Sequence, residues 1–381
     1  MVSNALPSTA LCRRLGLELP IVQAPMAGGW TTPALVAAVS NAGALGMLAA
    51  ARLSAQELRT QVEAVRAATD RPFGVNFLLA PPDPAPRDAG EMQRALDRGR
   101  AKFGLAPGSA RLTLPASQLA EQLAYVSEAK IPIIGFAMGD PAPFVTRIKN
   151  HGGFVIAMAT TVDDALRLEA SGADAIVAQG AEAGGHRSVL DAAAGGDPPL
   201  IGTLALVPQV VDAVHVPIIA AGGIMDSRGV SAALALGAHA AQLGTRFLLA
   251  RESGAFAAYR RRLCEATETD TVMTLAISGR PARALRNELV RTVDGAATPA
   301  LPWPYQALAA DDLYRVAVSA GDTDWAPLLA GQGLRLARAE ASAAEIVASI
   351  ASGFGGAAPA LGTGARLGWC VVEWQSTSLH Q

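Results

Sequence analysis

Eight short apolar runs, separated by amphipathic stretches, restrict the fold of this chain more than any other feature. They lie at 21–26, 45–49, 73–79, 131–138, 154–159, 175–179, 217–221 and 240–243. Each is bounded by Gly, Pro or Asp and is too short for a helix, so each reads as a buried strand. The segments 33–41, 55–68, 116–129, 141–150, 162–171, 204–214 and 227–236 between them read as helices. Ser171-Gly172 and Leu236-Gly237 put glycine just past two helix ends, where a left-handed residue is wanted. Asp226-Ser227 offers an N-cap to a third. Near-continuous apolar strands with helical crossovers imply a parallel sheet covered on its outer face. Eight of them fit an α/β fold of the closed (β/α)8 TIM-barrel type better than a six-stranded doubly wound sheet.

Two regions break this rhythm. Residues 80–115 carry Pro81-Pro82, Pro84 and Pro86, a loop, followed by a charged stretch over 91–102 that reads as a solvated helix. Residues 251–330 are richer in Arg, Asp and aromatic residues, with helices expected at 259–267 and 307–317. The expected organisation is therefore a barrel over 1–250 with an excursion at 80–115 and a small helical substrate domain over 251–330. A helix within 331–354, at 343–352, returns to the barrel, and 355–381 form an irregular tail.

A net charge of -2 over 381 residues argues against nucleic acid, whose phosphates need a basic face. No apolar run approaches the length of a membrane span, and no basic cluster suits an anionic membrane. Cys12, Cys264 and Cys370 are scattered and lack metal-ligand spacing, so no metal is expected and a reducing, cytoplasmic setting is.

Barrels place chemistry at the carboxyl ends of their strands. The sixth run, Ala175 to Gln179, leads into Gly180-Ala-Glu-Ala-Gly-Gly-His186-Arg187. His186 is the one histidine of five at such a strand end, a candidate general base or anion-binding group. The alternative is that it only hydrogen-bonds a cofactor or the loop. Glu182 is the sole acid of this loop and reads as a residue that orders it through backbone N–H groups. The last two strand ends carry Gly222-Gly223 and Gly244-Thr245, loops in which exposed backbone N–H groups can hold a phosphate. A mouth poor in acid–base groups but equipped for a phosphate suits a cofactor that brings its own chemistry. FMN matches better than a dinucleotide, because no strand–Gly-x-Gly-x-x-Gly–helix unit is present.

Five ordered segments resemble the nitronate monooxygenases, formerly grouped as 2-nitropropane dioxygenases. They are Pro20 to Met26, Arg71 to Asn76, Gln179 to Arg187, Pro217 to Ile224 and Gln242 to Phe247, and the likeness runs from about residue 12 to 350. The resemblance implies an FMN-dependent barrel enzyme that oxidises alkyl nitronates with O2 to a carbonyl compound and nitrite. By that resemblance the backbone of Pro25, Met26 and Ala27 lines the flavin ring, and Asn76 and Gln179 hydrogen-bond the isoalloxazine or ribityl chain. Gly184, Gly222, Gly223, Gly244 and Thr245 surround the phosphate; Gly185 and Gln242 are further cofactor contacts. His186 stands near the substrate as the catalytic residue, Tyr305 binds substrate, and a homodimer is a candidate assembly. FMN-type enoyl-acyl-carrier-protein reductases and NADH:quinone reductases look similar, so NAD(P)H-dependent reduction of an enoyl thioester or quinone is the alternative. The nitronate enzymes carry a histidine after the fourth strand, where this chain has Ile134-Gly135-Phe136-Ala137.

Overall fold

The computed structural model describes residues 8–79, 85, 87–190, 198–336 and 339–353. The expected Pro-rich loop and irregular tail lie outside the described residues. Eight parallel strands form: β1 (Ile21–Gln23), β2 (Gly46–Ala49), β3 (Phe73–Leu78), β4 (Ile133–Ala137), β5 (Phe154–Ala159), β6 (Ala175–Gln179), β7 (Ile218–Ala221) and β8 (Ala240–Leu243). Their order is β1-β8-β7-β6-β5-β4-β3-β2. The ring closes between β1 and β2, where the N–H of Gln23 donates to Leu45 O and that of Leu45 to Ile21 O, both at 2.9 Å. The expected closed (β/α)8 barrel is what the chain adopts.

Period-two alternation along each strand separates two cores. Val22, Met47, Ile133, Ile156, Val177 and Ile219 fill the barrel interior. Their neighbours Ile21, Leu48, Ile134, Val155, Ile176 and Ile218 meet the surrounding helices. Both sets are almost fully buried, and each such side chain contributes about 1.5–3 kcal/mol of transfer free energy.

Two strands, β1 and β4, are shorter by three residues than the apolar runs that announced them. The ladder of β1 stops at Gln23, two residues before Pro25, which has no N–H to donate. β4 ends at Ala137 because Met138 adopts a φ of 63°, outside the extended region. A helix without a sequence expectation, Ala10–Leu15, plugs the amino-terminal end. Thr9 Oγ1 caps it by accepting the Cys12 N–H at 3.2 Å, and Leu11, Cys12 and Leu15 join the interior core.

The helix Ala343–Ser352 packs on the outside of the barrel. It starts with a Ser342–Glu345 capping box and packs Ile346, Val347 and Ile350 into the outer core, against the helices Pro33–Asn41 and Ser227–Ala235. The described residues between 249 and 342 are thus an excursion from the carboxyl-terminal mouth, made before the helical ring is complete.

That excursion corrects the expectation of an all-helical region. It holds the helices Ala257–Glu265, Glu288–Asp294, Tyr305–Ala309 and Asp311–Ser319, but also the strands Thr271–Thr274 and Ala282–Leu285. The β-branched Thr271, Val272 and Thr274 favour extension, yet four residues are too few to show a period. The single helix expected at 307–317 breaks at Ala310. Asp311 and Asp312 there supply the acidic first turn of a new helix.

The charged stretch is the helix Gly90–Lys102, and it is not simply solvated. Met92 and Leu96 are buried in the core of the excursion. Arg100 is 2% exposed, its guanidinium bound to Asp312 at 2.8 Å, Asp97 at 2.9 Å and Ala309 O at 2.5 Å. Charge density hid an apolar stripe. Gly99 lies on that stripe, and a Cβ there would stand 2.6 Å from the Trp325 ring. Gly99→Ala is therefore expected to destabilise the protein by about 1–3 kcal/mol through overpacking, read as a lower urea midpoint. An unchanged or raised midpoint would show that Trp325 can move aside freely.

Candidate active site

The loop leaving β6 is held from several sides. The Gln179 amide donates to His186 O at 2.9 Å and accepts the Ser188 N–H at 3.0 Å. Glu182 accepts the Thr203 N–H and hydroxyl, each at 2.8 Å, so it does order the loop, by latching it to the helix Thr203–Ala213. Gly180 is obligatory in this packing, since a Cβ would come within 1.9 Å of Thr203 Oγ1. Gly185–His186 then pairs with Ala282–Leu285, which pairs with Thr271–Thr274, so the loop is one strand of an antiparallel sheet. A strand pair of two residues fixes the backbone on both sides of the imidazole.

His186 Nε2 lies 2.6 Å from Ser278 Oγ, and its ring meets Trp303 edge to face, centroids 5.6 Å apart. Nδ1 has no partner among the described residues. Burial, helped by the Arg280 charge, pushes the imidazole down to about 4, so it is uncharged at neutral pH.

Guanidinium groups gather behind it. Arg187 is 1% exposed and donates to Gly180 O at 2.7 Å; burial and then Arg283 lower it to about 10. Arg283 donates to Ala181 O at 2.9 Å and Arg280 to Val189 O at 2.8 Å, both lowered chiefly by burial. The buried Nε atoms of Arg187 and Arg280 have no acceptor among the described residues. Glu182 offsets part of this charge, and the surplus favours an anion at the mouth.

The glycine loops converge beside it. Among the described residues, the N–H groups of Gly184, Gly222, Gly223, Gly244 and Thr245 find no acceptor. Gly222 and Gly223 have φ of 123° and 69°, conformations that turn successive N–H groups without a Cβ in the way. The segment 330–333 lies across these loops. Gly331 donates to Thr245 Oγ1 and Gln332 to Glu182 O, both at 2.9 Å. A Cβ on Gly184 would come within 2.6 Å of Ala330 C.

Three amides share the inward parity at the strand ends: Asn76 on β3, Gln179 on β6 and Gln242 on β8. The Gln179 side chain is committed to the loop, but that of Gln242 has no hydrogen bond among the described residues, and that of Asn76 only a 3.5 Å contact to Phe77 O. Both are nearly buried, so a bound group would supply what the protein does not. Pro25, Met26 and Ala27 are half-buried at the same mouth. Thr31 pins them, its hydroxyl accepting the Met26 N–H at 2.8 Å and its own N–H donating to Met26 O at 3.0 Å.

Tyr305, expected to bind substrate, is fully buried in the core of the excursion and donates to Ala85 O at 2.6 Å. Its apolar setting draws the ring inward, and Trp303, two residues earlier, is what reaches His186. Sequence reasoning missed Ser278, Arg280, Arg283 and Trp303. The signal available was Ser278-Gly-Arg-Pro-Ala-Arg283, two arginines within an otherwise small, apolar stretch. Among the described residues no group of His, Cys, Asp and Glu could hold a metal ion. No helix there is long and apolar enough to cross a membrane.

Comparison with known proteins identifies the family. The family described as nitronate monooxygenase matches residues 12–353. A nitronate monooxygenase from Pseudomonas aeruginosa is 41% identical over 345 residues, 89% of this chain and 97% of that protein. The structure of a nitroalkane oxidase from Streptomyces ansochromogenes superposes with a TM-score of 0.82 at 38% identity, covering 90% of this chain and 97% of its own. FabK from Thermotoga maritima gives 0.73 at 32%, covering 91% and 96%.

Proposed function

Because the chain belongs to the nitronate monooxygenase family, whose members are flavin-dependent oxidoreductases, we propose that it oxidises alkyl nitronates with O2 on flavin mononucleotide. Two nitronates and one O2 give two carbonyl compounds and two nitrites. The observation that carries this reading is one mouth holding a cradle of unpaired N–H groups beside an uncharged imidazole.

The residues fit the mononucleotide. Gly184, Gly222, Gly223, Gly244 and Thr245 would hold one phosphate by backbone N–H groups. The free amides of Asn76 and Gln242, with Gln179 and Gly185, would bind the ribityl chain and ring edge, and Pro25, Met26 and Ala27 would line the ring. When bound, the flavin supplies an electron acceptor that O2 can reoxidise. The protein's own contribution is position and charge. Arg187, Arg280 and Arg283 draw the nitronate anion to the mouth, and His186, with Nε2 donating to Ser278 Oγ, would offer Nδ1 to it as an uncharged acceptor. Where the substrate arrives as a neutral nitroalkane, as the Streptomyces relative's name describes, that nitrogen removes the carbon-bound proton. The barrel through residue 250 carries the flavin in this reading, and 251–330 supply the Ser278 and Trp303 side of the substrate site.

The likeness to FabK favours a second reading, NAD(P)H-dependent reduction of an enoyl thioester or quinone. Anaerobic titration of the yellow protein separates the two. Nitronate is expected to bleach the flavin within mixing and NADH to leave it oxidised; the opposite pattern would replace the first reading by the second.

A further inference from the structure

The mouth has one side that neither the phosphate cradle nor the guanidinium cluster uses. Ala137 and Met138, at the end of β4, form a small apolar cluster of their own, with Leu78 of β3, Met158 of β5 and Trp303 packed against them. This cluster is separate from the barrel core and from that of the excursion, although Met158 touches the former. Leu78, Met158 and Trp303 are only half-buried, so the cluster presents apolar surface rather than a finished core. It stands directly beside the reacting position, because Trp303 is the residue that meets the His186 ring.

Polar groups at this edge are already used internally. Ser188 donates to Met158 O at 3.1 Å and accepts the Met138 N–H at 2.8 Å, which ties the ends of β4 and β5 together; Ala137 and Met138 are buried beneath, and the half-buried Leu78, Met158 and Trp303 form the surface. Methionine suits a surface that must accommodate a flexible chain, since it is unbranched and repacks at little cost.

We infer that this wall across the ends of β3, β4 and β5 is a hydrocarbon subsite that selects nitronates with a straight alkyl chain. Neighbouring strands lie about 4.8 Å apart, so three strand ends span about 10 Å, room for about six carbons. The anionic head sits at His186 and the arginines, and the tail runs along Trp303, Met158 and Leu78. The inference rests on the nitronate reading for its head group but not for its tail.

Two series test it on the flavin-loaded protein. In O2 consumption, kcat/KM is expected to rise about threefold per methylene from ethyl to hexyl nitronate. By calorimetry, straight-chain carboxylates from acetate to heptanoate, planar anions that cannot react, should tighten with a similar slope. Ala137→Asn, which puts an amide on the wall, should flatten both slopes, and Met158→Ala should reduce them if the first variant does not fold. A flat dependence with ethyl nitronate still oxidised would overturn the subsite and leave the proposed reaction standing. Rising carboxylate affinity with no nitronate oxidised would support the subsite and remove the reaction.

Discussion

Replacing His186 by asparagine is expected to lower kcat/KM for a neutral nitroalkane by about 10²–10⁴-fold, the range for loss of a positioned general base. Asparagine places an amide at the Nδ1 position, where it offers no basic nitrogen, and gives up the contact that Nε2 makes with Ser278. A preformed nitronate needs no proton removed, so its kcat/KM should fall far less, by about tenfold or below, the scale of one neutral hydrogen bond. Equal losses on both substrates would show that the histidine only binds the anion, and no loss on either would remove it from the chemistry.

The pH dependence follows from the same geometry. Burial and Arg280 hold the imidazole at about 4 instead of 6.5, so it is a competent base across the physiological range. Activity on the neutral nitroalkane should therefore fall only as pH drops through about 4, and His186→Asn should lose that limb. Stability carries the matching sign. The unfolded chain binds a proton at this histidine below about 6.5 and the folded chain does not until about 4. The native state consequently loses stability as pH falls between those values and regains it above them.

Much of the barrel was legible because its strands are buried on both faces and read as unbroken apolar runs. The turn at Gly222 and Gly223 was legible because their positive φ is a conformation that favours glycine. The far side of the site was not. Ser278 and Trp303 reach His186 only because Gly185–His186 becomes an edge partner of Ala282–Leu285, a pairing across about a hundred residues with no local signature. Tyr305 misled for the converse reason. An aromatic hydroxyl near a site has the same appearance in sequence whether it meets substrate or, as here, Ala85 O. The solvated reading of Gly90–Lys102 failed because the hydrophobic partners of Met92 and Leu96 lie some two hundred positions away, in the excursion.

Replacing Gly222 by valine is expected to weaken FMN binding at least about 100-fold, equivalent to about 2.7 kcal/mol, while the barrel still folds. Gly222 has φ of 123°, and a Cβ on it would lie 2.6 Å from Thr203 Oγ1 and 3.2 Å from both Ala183 N and Gly180 O. A β-branched residue cannot hold that backbone without strain of order 1–3 kcal/mol. Relief requires either moving the 222–223 N–H groups or pushing Thr203 away. Thr203 cannot leave freely, because its hydroxyl bonds Glu182 at 2.8 Å and Gly222 O at 3.0 Å, and Glu182 in turn anchors the loop that ends at His186. Either way the cradle opens. Gly321→Val separates this from generic glycine strain: Gly321 has φ of 69° but no atom within 4 Å of its Cβ position. It should lose some thermal stability and keep its flavin. Flavin per chain after purification and fluorescence titration of the stripped protein measure the difference. A Gly222→Val protein that binds FMN as tightly as the parent would place the phosphate elsewhere on the mouth.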